Sequence, residues 1–178
     1  IMESKGDFEQ IKRLVDDALN AGTERNIGHE YIEHIEDRYS ETARTTVPTG
    51  WDVIDDLTQG GLGGGELGVI VAPAGVGKTW VLAAIGANSM KKGRHIVHYT
   101  LELNEAYVGL RYDSIFTGVA NQNLKYHKDD VQKEMDKLKG DLVIKYYPTK
   151  SASVNTLSAH LKRLTTLGTK VDMVVVDY

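Results

Sequence analysis

A chain of 178 residues, 41% apolar and 26% charged, is long enough for one domain with a full core and short for two. It contains no cysteine, which excludes disulfides and thiolate metal sites and fits a reducing cytoplasm. Its net charge of −4 argues against a broadly basic nucleic-acid surface, and leaves room for a local basic site built between subunits.

No apolar run approaches the roughly 18–20 residues of a membrane span, and no signal-peptide pattern opens the chain, so no membrane partner is expected. The chain starts at Ile1 and stops at Tyr178, directly behind the apolar run "VDMVVVD". A buried strand normally leads into a further element, so an internal fragment of a longer protein is expected.

The first elements differ from the rest. "DFEQIKRLVDDALNAG" puts Phe8, Ile11, Leu14, Val15, Ala18 and Leu19 on one helical face, with Gly22 as the stop. "HEYIEHIEDRYS" repeats the pattern more weakly through Tyr31, Ile32, Ile35 and Tyr39. Two amphipathic helices packed on their own domain would read this way, and so would a linker arm that docks on a neighbouring copy. The polar stretch "TARTTVPTG", with Pro48 and Gly50, sets a boundary near residue 45 and divides the chain into a helical arm, 1–45, and a second unit, 46–178.

From there strands and helices alternate. "GELGVIVA" reads as a strand and "KTWVLAAIGANSMKKG" as a helix ending at Gly93. "RHIVHYTLE" reads as a strand and "NEAYVGLRYDSIFTG" as a helix. "DDVQKEMDKLKG" is a charged helix, "DLVIKYYP" a strand, "SVNTLSAHLKRLTTLG" a helix with Ser153 as candidate cap, and "DMVVVD" a last strand. The alternation predicts an α/β fold, a mostly parallel sheet covered by helices.

The stretch "VIVAPAGVGKTW" carries the chemistry. A strand-to-helix turn with Gly75 and Gly77 lets backbone N–H groups converge on an anion at the positive end of a helix dipole. Ala74, Gly75, Val76, Gly77, Lys78, Thr79 and Trp80 are the candidate nucleotide-binding positions. Lys78 supplies a point charge for the β- and γ-phosphates, and the Thr79 hydroxyl suits Mg²⁺. Ala72 stands where the usual phosphate loop has its first glycine, at the strand end, where a small residue serves.

Two carboxylates complete the set. Asp177 ends the run "MVVVD" at the expected carboxyl edge of the sheet, where ligands of open α/β sheets bind, and is the candidate Mg²⁺ anchor. Capping of a following turn is the plain alternative for it. Glu102 closes "HIVHYTLE" and is the candidate base that orients an attacking water, with an ordinary solvated strand-end Glu as its alternative. His95 and His98 lie on this strand without a matching ligand set and read as structural.

Together these motifs resemble the hexameric replicative helicases of the DnaB class, within the RecA-like P-loop ATPases. "PTGWDVIDDLTQGGLGGGELGVIVAPAGVGKT" resembles the family's T-G-[FW]-x-x-[LI]-D segment, glycine-rich turn, strand and phosphate loop, and the family accepts Ala at the loop's first position. "YTLELNEAYVGLR" resembles its S-L-E-M-S-x-E-x-x-x-x-R segment. Glu102 matches the catalytic glutamate there, and Arg111 matches the arginine nine residues later. "VVVDY" matches the magnesium-site strand through Asp177 and Tyr178. The spacing looks closest to replicative helicases of large tailed phages. One departure is Asn104, where the family usually has Ser.

The resemblance implies a truncated RecA-like core preceded by an N-terminal helical linker. ATP and Mg²⁺ would be the cofactors, with Lys78 and Glu102 catalytic and Thr79 and Asp177 on the metal. Arg111 would join the nucleotide-binding set. It implies a ring homo-oligomer, a hexamer, moving on single-stranded DNA at a replication fork, with primase and a helicase loader as partners and the host-cell cytoplasm as location. In that family the strand between the phosphate-loop strand and the Asp177 strand, the DNA-contacting loops and the arginine finger come from later in the chain. Residues 7 to 21 would be the linker helix that docks on an adjacent subunit. A RecA-like recombinase or a clock-type regulatory ATPase suits "GGLGGGEL" equally well, and an ATP-binding assembly module without motor activity is a third reading. The segment from Glu102 to Arg111 favours the helicase.

Overall fold

The computed structural model describes residues 44–178 and, before them, only positions 11, 15, 31–33, 35 and 36. The chain divides into two compact units, Ile1–Ala43 and Arg44–Tyr178. The two helices expected in the first forty residues therefore lie largely outside the described residues.

The second unit opens with a short antiparallel ribbon, β1 (Thr46–Val47) on β2 (Leu62–Gly63), with helix α1 (Asp52–Leu57) between them. Here the T-G-W-x-x-I-D motif has a physical purpose. The Asp55 carboxylate accepts from Thr49 N and Thr49 Oγ1, both at 2.7 Å, and from Gly50 N at 2.9 Å. Burial would raise its pKa, but the hydrogen bonds from Thr49 and Gly50 outweigh it and hold the carboxyl below its usual value. The loop so tied is clamped to the next helix, where Asn88 Nδ2 donates to Thr49 O at 3.1 Å and Ser89 Oγ to Pro48 O at 2.9 Å. Asp55→Ala is expected to lower stability by about 1–2 kcal/mol, since the donors it frees are partly solvated. Urea denaturation of the two proteins checks this.

The expected strand "GELGVIVA" is not one. Residues 66–73 form no strand, and Leu67, Val69 and Val71 are exposed at 86%, 71% and 89%. Alternating apolar residues fit a strand only when a neighbour accepts and donates along its length. Among the described residues, no strand pairs with this segment. Its N-terminal end is held instead by side chains. Glu66 accepts from Gly63 N at 2.9 Å and forms an ion pair with Arg44 at 2.5 Å.

The sheet proper has three parallel strands in the order β4-β3-β5: β3 (Ile96–Thr100), β4 (Leu142–Tyr146) and β5 (Met173–Asp177). Helices α2 (Lys78–Lys91), α3 (Glu105–Thr117), α4 (Lys128–Met135) and α5 (Val154–Thr166) alternate with them, and a 3₁₀ turn at Asn121–Tyr126, which periodicity does not reveal, links α3 to α4. Ala83, Ala87 and Met90 of α2 and Val108 and Tyr112 of α3 pack with Ile96 and Val175 to form the core. On the opposite face, Tyr99 Oη lies 2.8 Å from Nδ1 of His160 on α5. Ser153 caps α5 as expected, in a reciprocal box: Ser153 Oγ accepts from Thr156 N at 3.3 Å, and Ser153 N donates to Thr156 Oγ1 at 3.2 Å.

Candidate nucleotide site

The glycine loop enters α2 through two left-handed residues, Gly75 at φ 79° and Gly77 at φ 106°. No atom lies within 4 Å of where a Cβ would sit on either, so the loop's concavity is open and a side chain would occupy it. Gly77 is the N-cap of α2 and has no side chain to satisfy the first-turn N–H groups, and that turn carries no acidic residue. The positive end of the dipole is therefore left for an anion. Ala72 has no left-handed φ, so nothing in the backbone there demands glycine.

Lys78 ties the loop to its own start. Its Nζ donates to Ala72 O at 2.9 Å and to Pro73 O at 3.2 Å. An ammonium has three donors, so one stays available for a phosphate oxygen. Thr79 is half-buried beside it, while Ala74 and Val76 are exposed on the loop. Trp80, 41% exposed, lies under Arg111 of α3, whose Cζ stands 5.4 Å from the ring centroid. Arg111 Nη1 is buried without a hydrogen-bond partner.

Asp177 is the last residue of β5 and only 2% exposed, and its Oδ2 has no partner. The residue is fixed through its backbone, since Asp177 O accepts from Leu101 N at 2.9 Å. The register Thr100↔Asp177 and His98↔Val175 puts Asp177 on the same sheet face as His98. His98 is fully buried. Its pKa is lowered to about 4, first by burial and also by the positive Arg111, against the opposing pull of Asp177. Arg111, Asp177 and His98 thus form one polar neighbourhood on the face covered by α2 and α3. His98 is the residue sequence reasoning missed as a neighbour of this site. The two-residue step between His98 and Thr100 was visible in the sequence; the β3–β5 register that aligns it with Asp177 was not.

The orphaned, buried Asp177 Oδ2 fits a hard cation such as Mg²⁺, which takes few protein ligands and completes its shell with phosphate and water oxygens. Among the described residues, no group of three or more His, Asp or Glu forms a metal cage.

Glu102 departs from its expected position. The strand ends at Thr100, and Glu102 is exposed in the bend 101–103. The bend is made by Thr100 Oγ1, which accepts from Leu103 N at 3.1 Å and donates to Leu103 O at 2.8 Å. Asn104 then caps α3, its side chain accepting from Tyr107 N at 3.0 Å. Asn and Ser are near-equivalent N-caps, so the departure at Asn104 preserves the local structure. A separate groove of about 360 Å³, lined by Leu110, Leu124 and Val131 among others, involves none of these candidate residues.

Solved structures share the fold. The fold is that of RecA-like ATPase domains: a DnaB-like replicative helicase studied with primase superposes with a TM-score of 0.63 at 18% identity, over 96% of this chain and 44% of that one. A second solved structure, an ATPase domain, gives 0.61 at 18% identity, over 92% and 56%. The chain belongs to the DnaB-like helicase C terminal domain family, whose model matches residues 46–178. It is 27% identical over 184 aligned positions to the DnaB-like replicative helicase of Enterobacteria phage T4, covering 97% of this chain and only 38% of that protein's length. Among the described residues, no helix is long and apolar enough to cross a membrane.

Proposed function

We propose that the chain carries the ATP-hydrolysing core of a replicative DNA helicase, which burns ATP between the subunits of a hexameric ring to move along single-stranded DNA and part the duplex. The observation that carries this is an open glycine loop at the start of α2, whose first turn carries Trp80 against Arg111, together with a buried Asp177 whose Oδ2 has no partner. Membership of the helicase family favours this reading over a recombinase or a clock-type ATPase.

The loop N–H groups and the free donor of Lys78 hold the β- and γ-phosphates. Arg111 brings a guanidinium whose Nη1 is still unpaired, and Trp80 holds that group in place from below. Thr79 and Asp177 would hold Mg²⁺, which, when bound, draws charge from the phosphate oxygens. Glu102, exposed in its bend, orients the attacking water. An arginine from the neighbouring subunit completes the site, so an isolated subunit hydrolyses slowly. Residues 1–45 act as the arm that docks on that neighbour, a role suited to the exposed Ile11, Val15, Ile32 and Ile35. Primase and a helicase loader are the expected protein partners; a structurally similar replicative helicase has been described together with its interactions with primase.

The test uses the full-length protein: DNA-stimulated ATP turnover and unwinding of a forked duplex, wild type against Lys78→Ala. Removing the ammonium should cut both by about 100-fold or more. ATP turnover that ignores DNA, with no unwinding, would instead favour the regulatory ATPase.

A further inference from the structure

His98 takes no part in the roles assigned above, yet it is fully buried on the sheet face that carries Asp177. Three elements fix it. It lies on β3; its Nδ1 is 2.9 Å from Oη of Tyr112, the residue after Arg111 on α3. The Tyr112 hydroxyl fills space left by Gly86 of α2, where a Cβ would stand 2.3 Å from it. The two rings meet edge-on, with centroids 5.8 Å apart at 78°.

The proton positions follow from donor and acceptor counting. A neutral imidazole carries one ring proton. If that proton were on Nδ1, the buried Tyr112 hydroxyl hydrogen would have no acceptor, since Nδ1 is its one hydrogen-bond partner among the described residues. The Nδ1–H tautomer leaves two buried groups unpartnered, the Tyr112 hydroxyl hydrogen and the Nε2 lone pair, whereas the Nε2–H tautomer leaves only Nε2–H, so the count favours Tyr112 donating to Nδ1. His98 Nε2 and Asp177 Oδ2 are both buried without partners, a donor and an acceptor. The register His98↔Val175 and Thr100↔Asp177 makes them diagonal neighbours on one sheet face.

We propose that Tyr112 and His98 form a positioning relay: Tyr112 locks His98 as the Nε2–H tautomer, and that N–H, through one bridging water, orients the Asp177 carboxylate for Mg²⁺. This rests on the reading that Asp177 holds the cation. Groups that hold a metal ligand in place in this way typically govern metal affinity by 10–100-fold.

Two measurements test it, with Tyr112→Phe and His98→Leu as variants. The first is the ¹⁵N spectrum of the His98 ring in the metal-free chain. The wild type should give a protonated Nε2, and Tyr112→Phe should lose that single tautomer. The second is nucleotide affinity with and without Mg²⁺, read from Trp80 fluorescence in a Trp51→Phe background. The gain in affinity that Mg²⁺ confers should fall about tenfold in both variants. A protonated Nδ1 in the wild type, or an unchanged Mg²⁺ gain in both variants, overturns the relay. If that gain is unchanged while Lys78→Ala abolishes nucleotide binding, the relay fails and the site reading stands. If the wild type binds no nucleotide, the site reading fails and the relay falls with it.

Discussion

ATP turnover by the full-length protein is expected to fall about 10²–10⁴-fold on Glu102→Gln, with nucleotide affinity kept. The amide has the size and shape of the carboxylate but cannot accept the proton of an attacking water. The geometry survives the change because the bend does not depend on the Glu102 side chain. Thr100 Oγ1 makes both bonds that close it, and Leu101 N is tied to Asp177 O at 2.9 Å. That last bond couples the Glu102 segment directly to the strand end carrying the candidate metal ligand. The carboxylate is exposed, so it can meet a water without first breaking an internal contact. Single-turnover hydrolysis with a parallel binding titration is the check. Turnover at the wild-type rate would sink the role. A loss of affinity of the same size as the loss of rate would mean that Glu102 helps bind and does not orient water.

The sequence displayed the parts of this fold that depend on nearest neighbours along the chain. Helical periodicity beyond residue 77, Ser153 as a cap and Gly93 as a stop are local properties, and each corresponds to an element of the structure. The apolar run into Asp177 likewise forms β5, because β3 supplies its partner. "GELGVIVA" has an equally good strand pattern but no such partner among the described residues, which shows that a strand is a relation between two segments and not a property of one. Glu102 falls two residues beyond the strand because a threonine hydroxyl, not the apolar pattern, decides where β3 ends. The His98–Tyr112 pair was beyond reach for a different reason. Nothing in the linear spacing says that Gly86, on another helix, leaves the room the Tyr112 hydroxyl needs.

The stability of the fold is expected to fall by about 3 kcal/mol as pH drops from 6.5 to 4, with His98 as the main cause. The folded pKa of this histidine is about 4 against an ordinary value of 6.5, so between those limits the unfolded chain binds a proton that the folded one refuses. Unfolding then takes up a proton, and stability rises with pH across the window, complete above about 6.5. The groups around the ring act in both senses: Asp177 favours the imidazolium, while Arg111 and enclosure oppose it and win. Tyr112 adds no charge, because burial pushes its own pKa well above the ordinary value. Other titrations separate from this one. Asp55 and Asp172 have lowered pKa values, so their contribution is lost only as pH falls below the ordinary carboxylate range of about 4. Asp113, raised by burial, acts in the opposite sense, and the lowered His160 adds in the same sense from a more exposed position. Urea denaturation from pH 7 to 4 on the wild type and His98→Leu isolates the histidine as the difference in slope, whatever the substitution costs at pH 7. Parallel slopes would mean that His98 titrates alike in both states, and that the enclosure formed by α2, α3 and β5 admits water to its ring.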